Sequence, residues 1–215
     1  MKRRFFNSAV VTATAWLSTS AAWAQAALFK SGKDFLTLDR PVATEAGTGK
    51  VEVIEFFWYS CPHCNAFEPS LEAWSKKLPA DVVLTRVPAA FRDDMVPQQR
   101  LFYTLEALGE VERLHRKCFD TIHGEKRDLL KEADMIEWAA HNGVDKAKFA
   151  DTYKSFGVVS KVKRAVQLQN DFKIEGVPSL GVAGRFYTDG TLAGSMDRAL
   201  QVTDSLLALV RQGRA

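Results

Sequence analysis

The stretch from Val51 to Tyr59 is dense in β-branched and aromatic residues, and it runs directly into Cys61-Pro62-His63-Cys64. A run of that kind forms a mostly buried strand. Beyond Cys64 the apolar residues Phe67, Leu71, Trp74 and Leu78 fall three or four apart, which is helical spacing. The order strand, Cys-x-x-Cys, helix places two sulfurs one turn apart at a helix start, close enough to form a disulfide. Pro62 falls in the first turn, where its missing N–H would have no intrahelical partner.

That placement dictates chemistry. Unsatisfied N–H groups and the positive end of the helix dipole face the Cys61 sulfur and favour thiolate over thiol. His63 adds a donor, and a cation when protonated. Cys64, one turn further in, is expected to be more shielded, which leaves Cys61 to exchange with another protein. Other uses of paired cysteines fit less well. Zinc usually takes four ligands, whereas only Cys118 remains as a third thiol and no second Cys-x-x-Cys exists, so no metal is expected. Haem attachment of the c type needs histidine directly after the second cysteine, and Asn65 stands there. A purely structural disulfide across so short a loop is unusual. Thiol redox exchange, with no cofactor, is the expected chemistry.

The segment Glu55-Phe56-Phe57-Trp58-Tyr59-Ser60-Cys61-Pro62-His63-Cys64 resembles the active-site region of the DsbA family, bacterial periplasmic disulfide oxidoreductases. Gly32-Lys33-Asp34-Phe35-Leu36-Thr37-Leu38 and Gly176-Val177-Pro178 are also similar to that family, in family order and spanning most of the chain. The resemblance implies an α/β, thioredoxin-like fold with an inserted all-helical domain. It implies that Val177-Pro178 is cis and shapes the substrate groove beside the sulfurs. It implies reduced exported proteins as substrates, oxidised by the Cys61–Cys64 disulfide, and a DsbB-like, quinone-linked inner-membrane oxidase as the partner that restores it. Isomerase or reductase on the same fold, and a non-catalytic groove-binding chaperone, are the alternatives. Isomerases of the DsbC type carry an N-terminal dimerisation domain and usually threonine before the cis-proline. This chain has a short N-terminal segment and Val177, and it is expected to act as a monomer.

The first 24 residues read as an address. Lys2, Arg3 and Arg4 precede an uncharged stretch ending in Ala22-Trp23-Ala24, the pattern of a cleaved secretory signal peptide, with an uncleaved anchor as the rival. Such a leader implies an oxidising compartment, here the periplasm, where disulfides persist. The whole chain holds 29 basic and 26 acidic residues; three of the basic ones lie in the leader, leaving 26 of each. A balance so near neutrality gives no electrostatic case for nucleic acid as partner.

From there the expected division is 25–92 as the first part of the α/β domain, 93–164 as a helical insertion, and 165–215 as the second part. Phe35–Leu38 and Val82–Val87 read as strands, and the CPHC helix reads as interrupted at Pro69. Helical spacing then continues in segments ending near Gly109, Gly124, Gly143 and Phe156, with a further helix over 158–172. Ser179–Ala183 and Arg185–Thr188 form an expected hairpin around Gly184, followed by a closing helix over 196–210.

Three other features stand out. Glu55 is an acid in a strand that otherwise reads as buried, either at an exposed strand end, in an ion pair with Arg86, or beneath Cys64, and Glu68 shares a helix face with Cys64. Both are candidate proton acceptors toward Cys64; a carboxylate disfavours a nearby thiolate, so neither explains an activated Cys61. Cys118 lies on an apolar stripe with Val111, Leu114 and Ile122 and is expected to be a buried free thiol. His115, among Arg113, Arg116 and Lys117, is expected on a solvated helix face.

Overall fold

The computed structural model describes residues 29–213. Both expectations for residues 1–24, leader or anchor, lie outside the described residues.

The run after Lys50 forms strand β2 (Val51–Phe57), all but its first residue buried. It follows a short β1 (Leu36–Thr37) and leads into helix α1 (Pro62–Ser75). Strand β3 (Val82–Pro88) lies parallel to β2, with Glu55 beside Arg86 in the register. Strands β4 (Ser179–Val182) and β5 (Phe186–Asp189) complete a five-stranded mixed sheet in the order β1-β5-β4-β2-β3. Antiparallel pairing of β4 with β2 sets Ser179 opposite Phe56. The Gly176–Pro178 loop therefore enters the sheet beside the end of β2 that leads to Cys61. The β4–β5 turn needs left-handed backbone at Ala183 and Gly184 (φ 53° and 64°). At Gly184 a side chain is excluded outright, since a Cβ would sit 2.0 Å from the Val42 carbonyl oxygen.

Between β3 and β4 the chain is helical. A 3₁₀ turn (Asp93–Met95) opens α2 (Val96–Ala107), followed by α3 (Val111–Phe119), which widens into a π turn (Asp120–Gly124). Helices α4 (Glu132–His141), α5 (Lys146–Lys154) and α6 (Phe156–Asp171) follow. A short α7 (Gly190–Ala193) and the amphipathic α8 (Met196–Arg211) close the chain. The fold is thus a thioredoxin-like α/β fold carrying a helical insertion, as its sequence implies.

Three local expectations need correction. Helix α1 is unbroken at Pro69. The α5–α6 boundary falls at Ser155, whose hydroxyl accepts from the Val158 N–H as the cap of α6, so Phe156 opens the second helix instead of ending the first. His115 is not solvated; it is buried among Phe57, Phe102 and Phe119.

Apolar side chains cover both faces of the sheet. Val53, Leu180 and Val182 pack with Phe67 and Leu71 of α1 and Ala199, Val202 and Leu206 of α8. Ile54, Phe56 and Val87 join a second cluster with Phe172 just beyond α6 and with Leu101, Leu114, Phe119 and Trp138 of the insertion. Each such Val, Leu, Ile or Phe side chain contributes about 1.5–3 kcal/mol of burial, and the insertion shares its core with the sheet.

Candidate active site

Cys61 caps helix α1. Its backbone is extended (φ −78°, ψ 118°), Pro62 takes the first helical position, and the Cys61 sulfur accepts from the Cys64 N–H at 3.4 Å. Both cysteines are free thiols, so the structure describes the reduced couple. The Cys61 thiol is lowered to about 6, chiefly by a hydrogen bond from the Cys64 thiol. Partial burial opposes this; the Cys64 and His63 N–H groups and the His63 side chain add to it. Cys64 is wholly inaccessible, and burial first, then the neighbouring Cys61 sulfur, push its thiol well above the ordinary value. Local structure has made the two sulfurs of one motif unlike.

The opposite wall comes from the loop before β4. Val177-Pro178 is cis, and the Val177 carbonyl accepts from the Cys61 thiol at 3.4 Å. Ser179 Oγ donates to the Gly176 carbonyl at 2.6 Å and closes this loop. His63, Val177, Pro178, Gly190 and Met196 line an open groove of about 330 Å³ beside it. A larger cleft of about 500 Å³ between residues 38–43 and α6 is lined by no cysteine, so size does not mark the site.

Beneath Cys64 lies a chain of buried polar groups. Glu55 is fully buried, and burial, then the charge of Glu68, raise its carboxyl to about 8 against the opposing pull of Arg86. Arg86 Nε lies 3.3 Å from Glu55 Oε2, an ion-pair distance, but the angles do not make a hydrogen bond, and among the described residues neither Glu55 oxygen has a donor. Arg86 Nη2 donates to Glu68 Oε1 at 2.6 Å. Burial works to raise Glu68 as well, yet His115 and Arg86 outweigh it and hold this carboxyl below its ordinary value. His115 Nε2 stands 3.5 Å from Glu68 Oε2, beyond good hydrogen-bond geometry, while its Nδ1 meets the Tyr59 hydroxyl at 2.9 Å. Glu55, whose negative charge would raise the Cys64 thiol further, is therefore the acid held protonated near neutral pH.

The insertion contributes contacts that no local motif announces. Gln98, on α2, bonds Ser60, and His123 bonds the Tyr59 carbonyl at 2.8 Å. Arg116, on α3, reaches Asn65. Cys118 is buried, and burial pushes its thiol far up, away from any reactive role at neutral pH.

A sheet in which β2 runs parallel to β3 and antiparallel to β4, a Cys-x-x-Cys at the following helix start and a cis-proline opposite define a thioredoxin-fold dithiol–disulfide oxidoreductase. The family model described as a DSBA-like thioredoxin domain matches residues 80–201. Among similar proteins, the Thiol:disulfide interchange protein DsbA of Burkholderia cepacia is 43% identical over 195 residues, 91% of this chain and 92% of that one. The protein of the same name from Bordetella parapertussis is 43% identical over 201 residues, covering 93% and 95%. The crystal structure of Pseudomonas aeruginosa DsbA superposes with a TM-score of 0.82 at 38% identity, covering 86% of this chain and 96% of that one. The chain belongs to the DsbA family, and it is a thiol:disulfide oxidoreductase. The isomerase and chaperone alternatives are not favoured.

Proposed function

We propose that the Cys61–Cys64 couple introduces disulfides into reduced, newly exported proteins in the periplasm, with Cys61 as the exchanging sulfur. The carrying observation is the asymmetry of the two thiols: one lowered and bonded to the groove-forming Val177 carbonyl, the other sealed beneath it and raised. A substrate thiolate attacks Cys61 Sγ of the oxidised couple; the Cys61–Cys64 bond breaks and Cys64 leaves. A second substrate thiolate then attacks the substrate sulfur of the mixed disulfide, and Cys61 leaves as thiolate. The substrate loses two electrons and the couple gains them.

The resemblance to DsbA supports Pro62 and His63 as the active-site dipeptide, Val177 and Pro178 as substrate groove, and a DsbB-like, quinone-linked oxidase as the partner that withdraws the electrons. Glu55 takes a more specific role than proton acceptor alone. Raised to about 8, it holds a proton at neutral pH near Cys64; exchange of that proton with the Cys64 sulfur runs through a bridging group, since neither Glu55 oxygen bonds the sulfur directly. Glu68, held ionised by His115 and Arg86, serves as the fixed charge that adds to burial in keeping Glu55 protonated. The leader pattern supports the periplasm, and the domain limits follow the division at 93–164 given above.

Trapping tests the assignment. Cys64→Ser is expected to accumulate covalent complexes with exported proteins and Cys61→Ser to accumulate none. Equal trapping by both variants overturns it. Equilibration of the couple with glutathione gives the direction of exchange.

A further inference from the structure

We propose, building on that exchange chemistry, that the inserted helical domain braces the reactive segment from both sides, with Gln98 and Arg116 as positioning residues for the Cys61 thiolate. Neither is in hydrogen-bond contact with a sulfur. Both hold the backbone that presents one.

On the upstream side Gln98 is almost wholly buried, at 1% exposure, and spends its amide on the residue before Cys61. Its Nε2 donates to Ser60 Oγ at 2.7 Å and to the Asp128 carbonyl at 2.6 Å, and its Oε1 accepts from the Ser60 N–H at 3.2 Å. One side chain thus ties Ser60 to the loop between α3 and α4. His123 fixes the preceding carbonyl, that of Tyr59.

On the downstream side Pro69 leaves a gap in the helix ladder. Proline has no N–H, so the carbonyl four residues earlier, Asn65, has no donor within the helix. That residue directly follows Cys64, and its own N–H bonds the Cys61 carbonyl at 3.1 Å. Arg116 supplies the missing donor from outside the helix: Nη1 reaches the Asn65 carbonyl at 3.3 Å and Nη2 its Oδ1 at 3.0 Å. The guanidinium is itself steadied by Asp120, at 2.7 and 2.9 Å. A defect written into the active-site helix is repaired by the inserted domain.

Between these two holds lie the contacts that stabilise the thiolate. The Cys64 N–H reaches the Cys61 sulfur at 3.4 Å, and a hydrogen bond weakens steeply with misalignment. A small rotation of the Ser60–Asn65 segment therefore removes part of what depresses Cys61. Through Gln98 and Arg116 the insertion sets the oxidising strength of the couple without entering the groove.

The test measures Cys61 ionisation by thiolate absorbance and the equilibrium constant with glutathione, in the full chain. Gln98→Leu and Arg116→Met are each expected to raise the Cys61 pKa by about half a unit or more. They should also shift the equilibrium constant toward the disulfide, about threefold or more. Arg116→Lys keeps one donor and is expected to recover most of the parent behaviour. Arg113→Met, on the same helix but bonded to Glu110 and the Asn142 carbonyl, is expected to change neither. Arg116 is half exposed, so Arg116→Met decides the matter should Gln98→Leu fail to fold. The proposal is overturned if the variants keep the parent pKa and equilibrium constant while both redox forms lose stability equally, the mark of a merely structural role. A Cys61 that titrates as an ordinary thiol in the parent protein overturns the exchange chemistry itself, and the brace with it.

Discussion

At the scale of single residues, two titrations carry opposite signs. Cys61 is a depressed acid, so its thiolate stabilises the reduced fold fully above about pH 9, and that contribution is lost as pH falls through about 6. At pH 7 it amounts to at most about 1.4 kcal/mol, less what solvent at the groove rim screens. A disulfide closing a four-residue loop contributes roughly 2 kcal/mol by chain entropy. The two forms are therefore expected to be close in stability at pH 7. The oxidised form should lose ground by about 2 kcal/mol between pH 6 and 9, with the reduced form the more stable at the upper end. Denaturant melts of both forms across that range check this; a constant difference would mean that Cys61 carries no stabilised thiolate. Glu55 behaves the other way. Below about pH 4.5 it is protonated folded and unfolded and costs nothing; between there and about 8 the folded chain keeps a proton that the unfolded chain releases, so stability falls as pH rises. Glu55→Gln is expected to be more stable than the parent at pH 7, by at most about 3 kcal/mol, and equal to it near pH 4. Melts at the two pH values give the comparison, and a gain of the same size at both would point to packing instead of charge.

At the scale of elements, helix α1 shows what local sequence can and cannot tell. Its start is legible: an apolar strand, a proline at the first helical position and apolar residues at helical spacing leave little choice. Glu55 beside Arg86 is legible too, because a βαβ connection makes their strands neighbours. Pro69 reads as an interruption because its cost is local, while its remedy, Arg116, lies far along the chain. His115 is misread for the same reason. The charges around it in sequence face solvent, and only docking of α3 against β2 and α1 turns its ring inward. The remedy has a measurable consequence. Pro69→Ala restores an intrahelical N–H for the Asn65 carbonyl, so Arg116→Met should cost less in that background than alone. The expected coupling is about 0.5–1.5 kcal/mol, the worth of one hydrogen bond. A double-mutant cycle in denaturant measures it; strict additivity would mean that Arg116 does not replace the missing donor.

At the scale of the whole molecule, the shared cluster joining Ile54, Phe56 and Val87 to the insertion is expected to make the two parts one cooperative unit. Cys64 in α1 and Cys118 in α3 are both inaccessible and report on either side of that junction. In the reduced protein both are expected to become reactive toward an alkylating reagent at the same denaturant concentration; earlier exposure of Cys118 would show the insertion unfolding by itself. Rigidity of this kind has a bearing on timing. The Cys61 residue is only 7% exposed, and its sulfur faces the Val177 carbonyl across a narrow gap. Side chains of the insertion hold the backbone at Tyr59, Ser60 and Asn65 around that sulfur. A slender, extended chain is expected to bring a thiol to that sulfur more readily than a folded surface, so clients are expected to exchange before their own tertiary structure buries their cysteines. Small domains complete that burial within microseconds to seconds. The interval between emergence of a cysteine and its burial is the window in which this protein works, and the client's folding rate sets how long that window stays open.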